Sequence, residues 1–145
     1  MASEDCPQVL KLTIADLERL MDQHFPETKR LWSITALIEN QVTLRMGFRP
    51  EIVRAGGTIS GPAMMALADT AAYFVTLAHV GPIPQMATAN LDIHFLSRPR
   101  PVDLLATAKL LRLGRRLAVS TVEIRSAGVD DVVAHATVTY ALPAT

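Results

Sequence analysis

The sequence predicts an α+β fold in which a curved, mostly antiparallel sheet wraps around one long, buried helix. Residues 62–80 are good helix formers that include one carboxylate, Asp69, and no lysine or arginine. A helix that is apolar on every side is normally buried in the protein interior. One segment before this helix and four segments after it have the apolar pattern of β-strands. One sheet must therefore cover one helix on several sides, and a strongly curved sheet meets that need.

The composition is that of a single folded domain, which we take to span residues 1–145. Half of the residues are hydrophobic and 19% are charged, so the chain is not intrinsically disordered. Basic and acidic residues number 14 each, and no basic field indicates a nucleic-acid partner. Asp69 within the apolar helix argues against a membrane span. The single cysteine, Cys6, fits a reducing compartment, no signal peptide is visible, and we expect a cytoplasmic protein.

The segment before the long helix predicts one short helix and one strand. An amphipathic helix is indicated over about residues 13–24, where Thr13 and Asp16 have the spacing of a capping box. Apolar and polar side chains alternate over residues 41–49, which indicates a half-buried strand that ends at Pro50. The short helix carries no chemical signal, and we expect it to flank the main body or to act as a lid.

A glycine-rich turn leads into the long helix. Gly56, Gly57 and Gly61 provide backbone freedom, and we expect at least one of them to adopt a positive φ. Pro62 fits the first helical position, because its missing N–H would have no partner there. The free N–H groups at a helix start, together with the positive end of the helix dipole, are well placed to stabilise an oxyanion.

Four strands follow the long helix and complete the predicted sheet. They are indicated at residues 88–96, 102–113, 117–125 and 132–141. Short, hairpin-length links between them favour antiparallel neighbours. In the last strand, Tyr140 falls on the same face as the apolar residues Val132 and Val138.

Three segments of the chain, taken with the order of its elements, resemble a known family. They are G-T-I-S-G-P-A-M-M-A-L-A-D (residues 57–69), L-D-I-H-F-L-S-R-P (residues 91–99) and L-G-R-R-L-A (residues 113–118). Over about residues 40–141 the chain resembles the hotdog-fold acyl-CoA thioesterases of the PaaI type, the phenylacetic acid degradation type. The resemblance implies a hotdog fold and hydrolysis of a small or medium acyl-CoA, with an aromatic acyl group as one option. It also implies a homodimer or homotetramer with the site between subunits, and no cofactor beyond the coenzyme A of the substrate.

The resemblance implies catalytic roles for three residues. Asp69 matches the acidic residue of the family, which acts as a general base or as a nucleophile. Gly61 would supply the backbone N–H of the oxyanion hole, which polarises the thioester carbonyl. Thr88 falls where some relatives keep a hydroxyl that helps to hold the attacking water.

Around the glycine-rich turn the chain departs from the family pattern. Ser60 and Pro62 stand where relatives have the His and the second Gly of an H-G-G element, and Pro62 removes one backbone donor. Arg54 falls where relatives often have Asn or His. We place Arg54, Gly57 and Ser60 in the substrate-binding site, and Ser60 also fits a helix cap.

Two arginines in a predicted turn are candidates for binding the phosphates of coenzyme A. Arg115 and Arg116 lie between two strands, and arginine forks suit phosphate groups, although a solvated surface accounts for the same pair. The four histidines lack the spacing of a metal site, so no metal is expected. His79, near the end of the long helix, is interpreted as a favourable contact with the helix dipole.

Three alternatives remain open. Asp69 could be structural, paired with Arg54 or with a hydroxyl on a strand. The protein could bind acyl-CoA without catalysis, as a sensor, because a fold does not determine a function. It could also be an enoyl-CoA hydratase or dehydratase of the same fold, a reaction that usually needs an Asp–His or His–Glu pair.

Overall fold

The computed structural model of the protein describes residues 9–27 and 31–144. In these ranges the chain forms α1 (Ile14–His24), β1 (Trp32–Ile38), β2 (Gln41–Met46), α2 (Gly61–Val80), β3 (Ala87–Phe95), β4 (Leu104–Leu113), β5 (Leu117–Ser126) and β6 (Val132–Ala141). A short 3-10 helix, Pro50–Ile52, lies between β2 and α2.

The six strands of the described ranges form one sheet in which all neighbours are antiparallel. Their order is β1-β2-β4-β5-β6-β3. Helix α2 packs against β2, β4, β5 and β6, and α1 contacts α2 and β1 at the side. The core between helix and sheet is apolar, with Leu44, Val122 and Val138 fully buried. This is the hotdog fold, and it confirms the predicted α+β class with one central helix.

Local sequence signals determine where the two helices begin and end. At the start of α1, Thr13 N–H donates to Asp16 Oδ2 at 2.9 Å and Asp16 N–H donates to Thr13 Oγ1 at 3.1 Å. This confirms the predicted capping box. Helix α2 begins after Ser60, whose hydroxyl oxygen accepts the Ala63 N–H at 3.2 Å. It ends at Gly81, where a φ of 100° suits a residue without a Cβ.

Burial along α2 is uneven. Every residue from 71 to 79 except Tyr73 is buried, whereas Pro62 and Met65 near the helix start are exposed. In the described part of the chain, α2 is the one helix long and apolar enough to cross a membrane, but 61% of its most apolar window lies inside the fold. We therefore identify it as the core helix of the domain.

Strand β1 is absent from the sequence-based prediction, which begins the sheet at residue 41. It is an edge strand in which Ile34 alone is buried, and a bulge shifts its register between Ile34 and Ala36. Its apolar residues therefore do not alternate cleanly. The hairpin from β1 to β2 turns at Asn40, whose φ of 65° is a left-handed conformation that Asn tolerates.

Two further expectations about the strands are wrong. Strand β2 ends at Met46 instead of residue 49, and beyond it the Phe48 N–H donates to Asp103 Oδ1 at 2.7 Å. Strand β3 lies next to β6 at one edge of the sheet, not next to β4. The link over residues 96–103 therefore crosses to a distant strand and is not a hairpin.

Candidate functional site

Asp69 is held against the sheet by two hydroxyl groups. Its Oδ1 accepts a hydrogen bond from the Tyr140 hydroxyl at 2.7 Å and another from the Thr88 hydroxyl at 2.8 Å. Thr88 and Tyr140 are opposite each other in the register of β3 and β6, which brings both donors to the same oxygen. Of the two structural partners considered for Asp69, a strand hydroxyl is therefore observed and Arg54 is not.

The second carboxylate oxygen of Asp69 has a different environment. Within residues 9–27 and 31–144, no hydrogen bond to Oδ2 is formed, and the side chain is half-buried. Hydrogen bonds to an ionised carboxylate are about twice as strong as those between neutral groups, so Oδ1 is firmly anchored. Oδ2 remains available to accept a proton or to contact a ligand.

Tyr140 is a site residue that the sequence analysis did not select. Burial raises the pKa of Tyr140 above its ordinary value, the Thr88 hydroxyl opposes this shift, and the Asp69 carboxylate adds to it. The phenol therefore keeps its proton and acts as a donor. Its position on the buried face of β6 was the available signal, because a buried tyrosine hydroxyl usually needs a hydrogen-bond partner.

A pocket of about 280 Å³ opens beside Asp69. Asp69, Thr70, Thr88 and Tyr140 supply its polar groups. Its other lining side chains are aromatic or methionine, and they are Met21, Phe25, Trp32, Tyr73, Phe74 and Met86. A mostly apolar pocket with a few convergent polar groups is the usual form of a small-molecule site.

At the start of α2, one backbone donor has no partner among residues 9–27 and 31–144. The Ala63 N–H donates to Ser60 Oγ, the Met64 N–H donates to Ser60 O, and Pro62 has no N–H. In the described ranges the Gly61 N–H forms no hydrogen bond, and Gly61 lies under the ring of Phe95. A Cβ added at Gly61 would lie 3.3 Å from Phe95 Cζ, so this position is too close-packed for a side chain unless the ring moves.

Gly61 and Asp69 do not meet within one chain. They are separated by eight residues of the same helix, or about 12 Å along its axis at 1.5 Å per residue. One thioester carbonyl cannot contact both groups of a single subunit.

Comparison with known proteins decides the family. The model of the thioesterase superfamily matches residues 56–133. A Silicibacter protein assigned as a thioesterase is 36% identical, with 95% of this chain and 96% of that chain covered and a TM-score of 0.86. The chain belongs to the thioesterase superfamily.

More distant structures share the fold of this thioesterase. Zebrafish thioesterase superfamily member 2 is 19% identical, with 92% of this chain and 100% of that chain covered and a TM-score of 0.79. A phenylacetic acid degradation-related protein of Ralstonia eutropha is 20% identical, with 89% and 98% covered and a TM-score of 0.78. No curated protein matches the sequence significantly.

Membership of the superfamily identifies hydrolysis of a thioester as the class of reaction. The matched residues, 56–133, include Gly61, Asp69 and Thr88. Tyr140 lies outside the match, as do the pocket residues contributed by α1 and β1. The family match therefore covers one hydrogen-bond partner of the Asp69 carboxylate, Thr88, and leaves out the other, Tyr140, together with part of the pocket wall.

The other residues near the glycine-rich turn are exposed or engaged in local structure. Gly57 N–H donates to Arg54 O at 3.0 Å, which closes a turn in which Gly56 and Gly57 have φ values of 93° and 79°. The Arg54 side chain is exposed. The Ser60 hydroxyl oxygen caps α2, as the sequence also indicates. None of the three predicted binding residues Arg54, Gly57 and Ser60 lines the pocket beside Asp69.

Arg115 and Arg116 lie in the exposed turn between β4 and β5, outside the pocket. Arg116 O accepts the Leu142 N–H at 2.8 Å, and Ala118 is the register partner of Tyr140. Arg116 is two residues from Ala118, which is about 7 Å along an extended strand. The turn is therefore at the same end of the sheet as the Asp69 carboxylate.

His79, in the last turn of α2, is buried, and both of its ring nitrogens are hydrogen-bonded. It is 2% exposed, Asn40 N–H donates to its Nε2 at 2.9 Å, and its Nδ1 lies 2.6 Å from Val75 O. Because Nε2 accepts, the proton is on Nδ1 and the ring is neutral. His79 thus contacts the C-terminal part of α2 through its hydrogen bond to Val75 O. In the described ranges, no group of three or more His, Cys, Asp and Glu side chains has the geometry of a metal site.

Proposed function

We propose that this thioesterase hydrolyses the thioester of a small or medium acyl-CoA and that Asp69 is its catalytic carboxylate. The observation that carries the proposal is that the two carboxylate oxygens of Asp69 differ in their hydrogen bonding. Oδ1 accepts from Thr88 and Tyr140, whereas Oδ2 has no partner in the described part of the chain and borders an apolar pocket. Buried polar groups that serve only the fold are usually fully paired.

In the proposed reaction, Asp69 acts through Oδ2 as a general base. It takes a proton from a water molecule, and the water oxygen attacks the carbonyl carbon of the thioester. The tetrahedral intermediate then collapses, the carbon–sulfur bond breaks, and the coenzyme A thiolate receives the proton from Asp69. In the alternative route, Oδ2 itself attacks the carbonyl carbon, the carbon–sulfur bond breaks, and coenzyme A leaves as a thiolate. Water then hydrolyses the acyl anhydride, which frees the acid and the Asp69 carboxylate and supplies the proton that the thiolate takes up.

The proposed oxyanion donor is the Gly61 N–H. It is the free donor of the helix start in the described ranges, and the helix dipole favours a negative charge there. Since Gly61 and Asp69 of one chain are about 12 Å apart, we propose that each active site combines Asp69 of one subunit with Gly61 of the partner subunit.

The edge strand β3 supports this arrangement. Thr88 near the start of β3 contacts Asp69, and Phe95 at its end packs on Gly61. Phe95 and Leu96 are 48% and 59% exposed, and an exposed edge strand readily pairs with another strand. Antiparallel pairing of two β3 strands about a two-fold axis places the start of one next to the end of the other. Asp69 of one subunit then approaches Gly61 of the partner subunit.

The remaining contacts of the proposal concern coenzyme A. Arg115 and Arg116 are exposed, form no ion pair within the described ranges, and are proposed to bind its phosphate groups. Arg54, Gly57 and Ser60 are proposed to contact the substrate near the helix start. We further propose a cytoplasmic homodimer or homotetramer that needs no cofactor beyond the coenzyme A of its substrate.

Complementation of two inactive variants tests the proposed site. Asp69→Asn removes the base. Gly61→Pro removes the backbone N–H at the first helical position, where proline is favoured, and it is combined with Phe95→Ala to make room for the added ring, with Phe95→Ala alone as its control. Each variant alone should release little thiol from acyl-CoAs, and co-expression of the two should restore part of the activity, because one site of a mixed dimer retains both groups. Circular dichroism checks that each variant is folded, and Asp131→Asn, in an exposed turn, serves as the matched control.

The same assay separates the rival functions. If folded mixed dimers stay inactive while wild-type protein is active, Asp69 of one subunit and Gly61 of the partner subunit do not form a common active site. A wild-type monomer in sedimentation at micromolar concentration would also contradict the inter-subunit arrangement. Binding of acyl-CoA without turnover would identify a sensor. Within the described ranges no histidine lines the pocket, so no Asp–His pair within one chain favours the hydratase or dehydratase.

A further inference from the structure

We propose that the pocket beside Asp69 binds the acyl group of the substrate and that Phe25, at the end of α1, limits the acyl group to about one aromatic ring with a short linker. This inference rests on the proposed function, because it takes the thioester carbonyl to lie at Asp69. The acyl group then extends into the apolar pocket of the same subunit, and the coenzyme A part of the bound substrate extends toward the subunit interface.

The volume of the pocket sets the size of its occupant. A cavity of about 150 Å³ holds one benzene molecule in an apolar protein interior. The pocket beside Asp69 has about 280 Å³. It therefore has room for one ring and a few further atoms, or for a medium straight chain.

The walls of the pocket favour an aromatic ring among groups of that size. Tyr73 forms edge-type contacts with Phe25 and Phe74, with centroid distances of 5.8 Å for each pair and interplanar angles of 88° and 68°. Its centroid also lies 5.7 Å from that of Tyr140. Edge-to-face arrangements of this kind contribute beyond the burial of area, and a further ring on these walls can extend the same pattern.

Helix α1 supplies the outer wall of the pocket. Its inner face is fixed, since Leu17 is fully buried and the preceding Lys11 N–H donates to Ala78 O of α2 at 2.8 Å. At the other end of α1, Met21 is buried, whereas Phe25 is 42% exposed and still lines the pocket. Truncation of Phe25 therefore opens the pocket outward while the anchored part of α1 keeps its contacts.

The test compares kcat/KM for acetyl-, phenylacetyl- and dodecanoyl-CoA in three variants. Phe25→Ala should raise the ratio of dodecanoyl to phenylacetyl turnover about tenfold, the discrimination that an apolar pocket gives for small changes in volume. Phe25→Trp should lower phenylacetyl turnover and leave acetyl turnover near the wild-type value. Gln23→Ala, on the exposed side of α1 and outside the pocket, is the matched control. Unchanged ratios in both Phe25 variants would overturn the proposal.

A second measurement does not depend on catalysis. Trp32 is the single tryptophan of the chain and lines the pocket, so its fluorescence reports occupancy. In Asp69→Asn protein, phenylacetyl-CoA should change the Trp32 emission, and free coenzyme A should not. If the wild-type enzyme shows no turnover but this difference is seen, the pocket assignment holds and the proposed function fails. If turnover is seen but Trp32 responds equally to both ligands, the proposed function holds and the pocket assignment fails.

Discussion

Asp69 and His79 lie in opposite halves of helix α2, and their side chains have opposite environments. In the second half, His79 is buried and both of its ring nitrogens are paired, with Asn40 N–H and with Val75 O. In the first half, Asp69 is half-buried, and its Oδ2 has no partner within residues 9–27 and 31–144. The same helix therefore holds one side chain with both ring nitrogens hydrogen-bonded and one with a carboxylate oxygen still able to accept a hydrogen bond.

The comparison shows how a structural polar group differs from a reactive one. A buried polar side chain with all of its hydrogen bonds formed contributes to the stability of the fold, and its removal lowers the free energy of unfolding. A group with spare capacity beside a pocket is able to interact with a ligand, and its partners orient it for that role. Substitutions at the two positions should therefore affect different quantities, the catalytic rate at Asp69 and the free energy of unfolding at His79.

Asp69→Asn should produce the largest effect. Asn has nearly the size of Asp but cannot take a proton or attack a thioester. We expect kcat to fall by about 10²–10⁴, the usual contribution of a general base, with little change in melting temperature. A folded Asn variant with wild-type turnover would exclude Asp69 from the mechanism, and Asp131→Asn gives the baseline for an exposed carboxylate.

His79→Leu should give the opposite result. Leu fills much of the space of the imidazole but cannot form the hydrogen bonds of His79 with Asn40 N–H and Val75 O. Each such bond contributes about 0.5–1.5 kcal/mol, so the free energy of unfolding in urea should fall by about 1–3 kcal/mol. The rate per folded molecule should stay unchanged. A loss of kcat without a loss of stability would remove the distinction between the two halves of the helix.

Tyr140→Phe should lower kcat by an intermediate amount. The change removes one of the two hydrogen bonds that hold Asp69 Oδ1 and leaves the ring in place. We expect kcat to fall about tenfold, equivalent to about 1.4 kcal/mol. The melting temperature should change little, because the ring keeps its place against Tyr73.

The matched control for this variant is Tyr73→Phe. Tyr73 lines the same pocket, but its hydroxyl donates to Pro84 O at 3.2 Å and forms no hydrogen bond with Asp69. The kcat of Tyr73→Phe should match that of the wild-type enzyme. If Tyr140→Phe also keeps the wild-type kcat and only its melting temperature falls, Tyr140 is a structural residue.

Asp103→Asn should have the smallest effect, because Asp103 is a carboxylate with both oxygens paired. Phe48 N–H donates to its Oδ1 at 2.7 Å and Arg45 Nε donates to its Oδ2 at 2.8 Å. These bonds, the Phe48 bond first, lower the pKa of Asp103 below its ordinary value of 3.8. At neutral pH we expect a loss of at most about 1 kcal/mol, since the pair is solvent-screened, and no change in kcat.

The pH dependence of this loss has a definite sign. A carboxyl group with a lowered pKa in the folded state stabilises the fold above its ordinary pKa and loses that contribution as the pH falls through the folded value. The difference between wild-type and Asp103→Asn protein should therefore be full at about pH 7 and should shrink below the ordinary value of 3.8. A difference in urea unfolding that persists undiminished in acid would contradict this account.

Local signals in the sequence were sufficient for the helices and for most strands. The capping box of Thr13 and Asp16 and the proline near the start of α2 act within one turn of the chain, and spacing alone reveals them. Strand β1 and the placement of β3 beside β6 depend on contacts between distant segments. An irregular edge strand has no clean alternation, and a linker length does not specify which edge of a sheet a strand joins.

The candidate site divides in the same way. Asp69 could be selected from the sequence because a carboxylate is unusual in an apolar helix and because it matches the acidic residue of the family. The family resemblance selected Gly61, and the free N–H groups expected at a helix start are consistent with its role. The tie between Tyr140 and Asp69 spans 71 positions and depends on strand register, so no pattern along the chain indicates it. The pocket joins side chains from α1, β1, α2 and β6, and its volume exists only in the folded molecule.

Asn40 has a consequence for the motions of the sheet edge. Its N–H is bound by His79 of α2, and its carbonyl accepts the Leu110 N–H at 2.8 Å, so one turn residue connects the β1–β2 hairpin to the helix and to β4. Edge segments with few buried contacts open locally without unfolding of the whole domain. The amide protons of β1 should therefore exchange with solvent faster than those of β5, with Asn40 as the point where the opening stops. Because Trp32 belongs to β1, the same local opening would widen the pocket and provide a route for the product acid to leave.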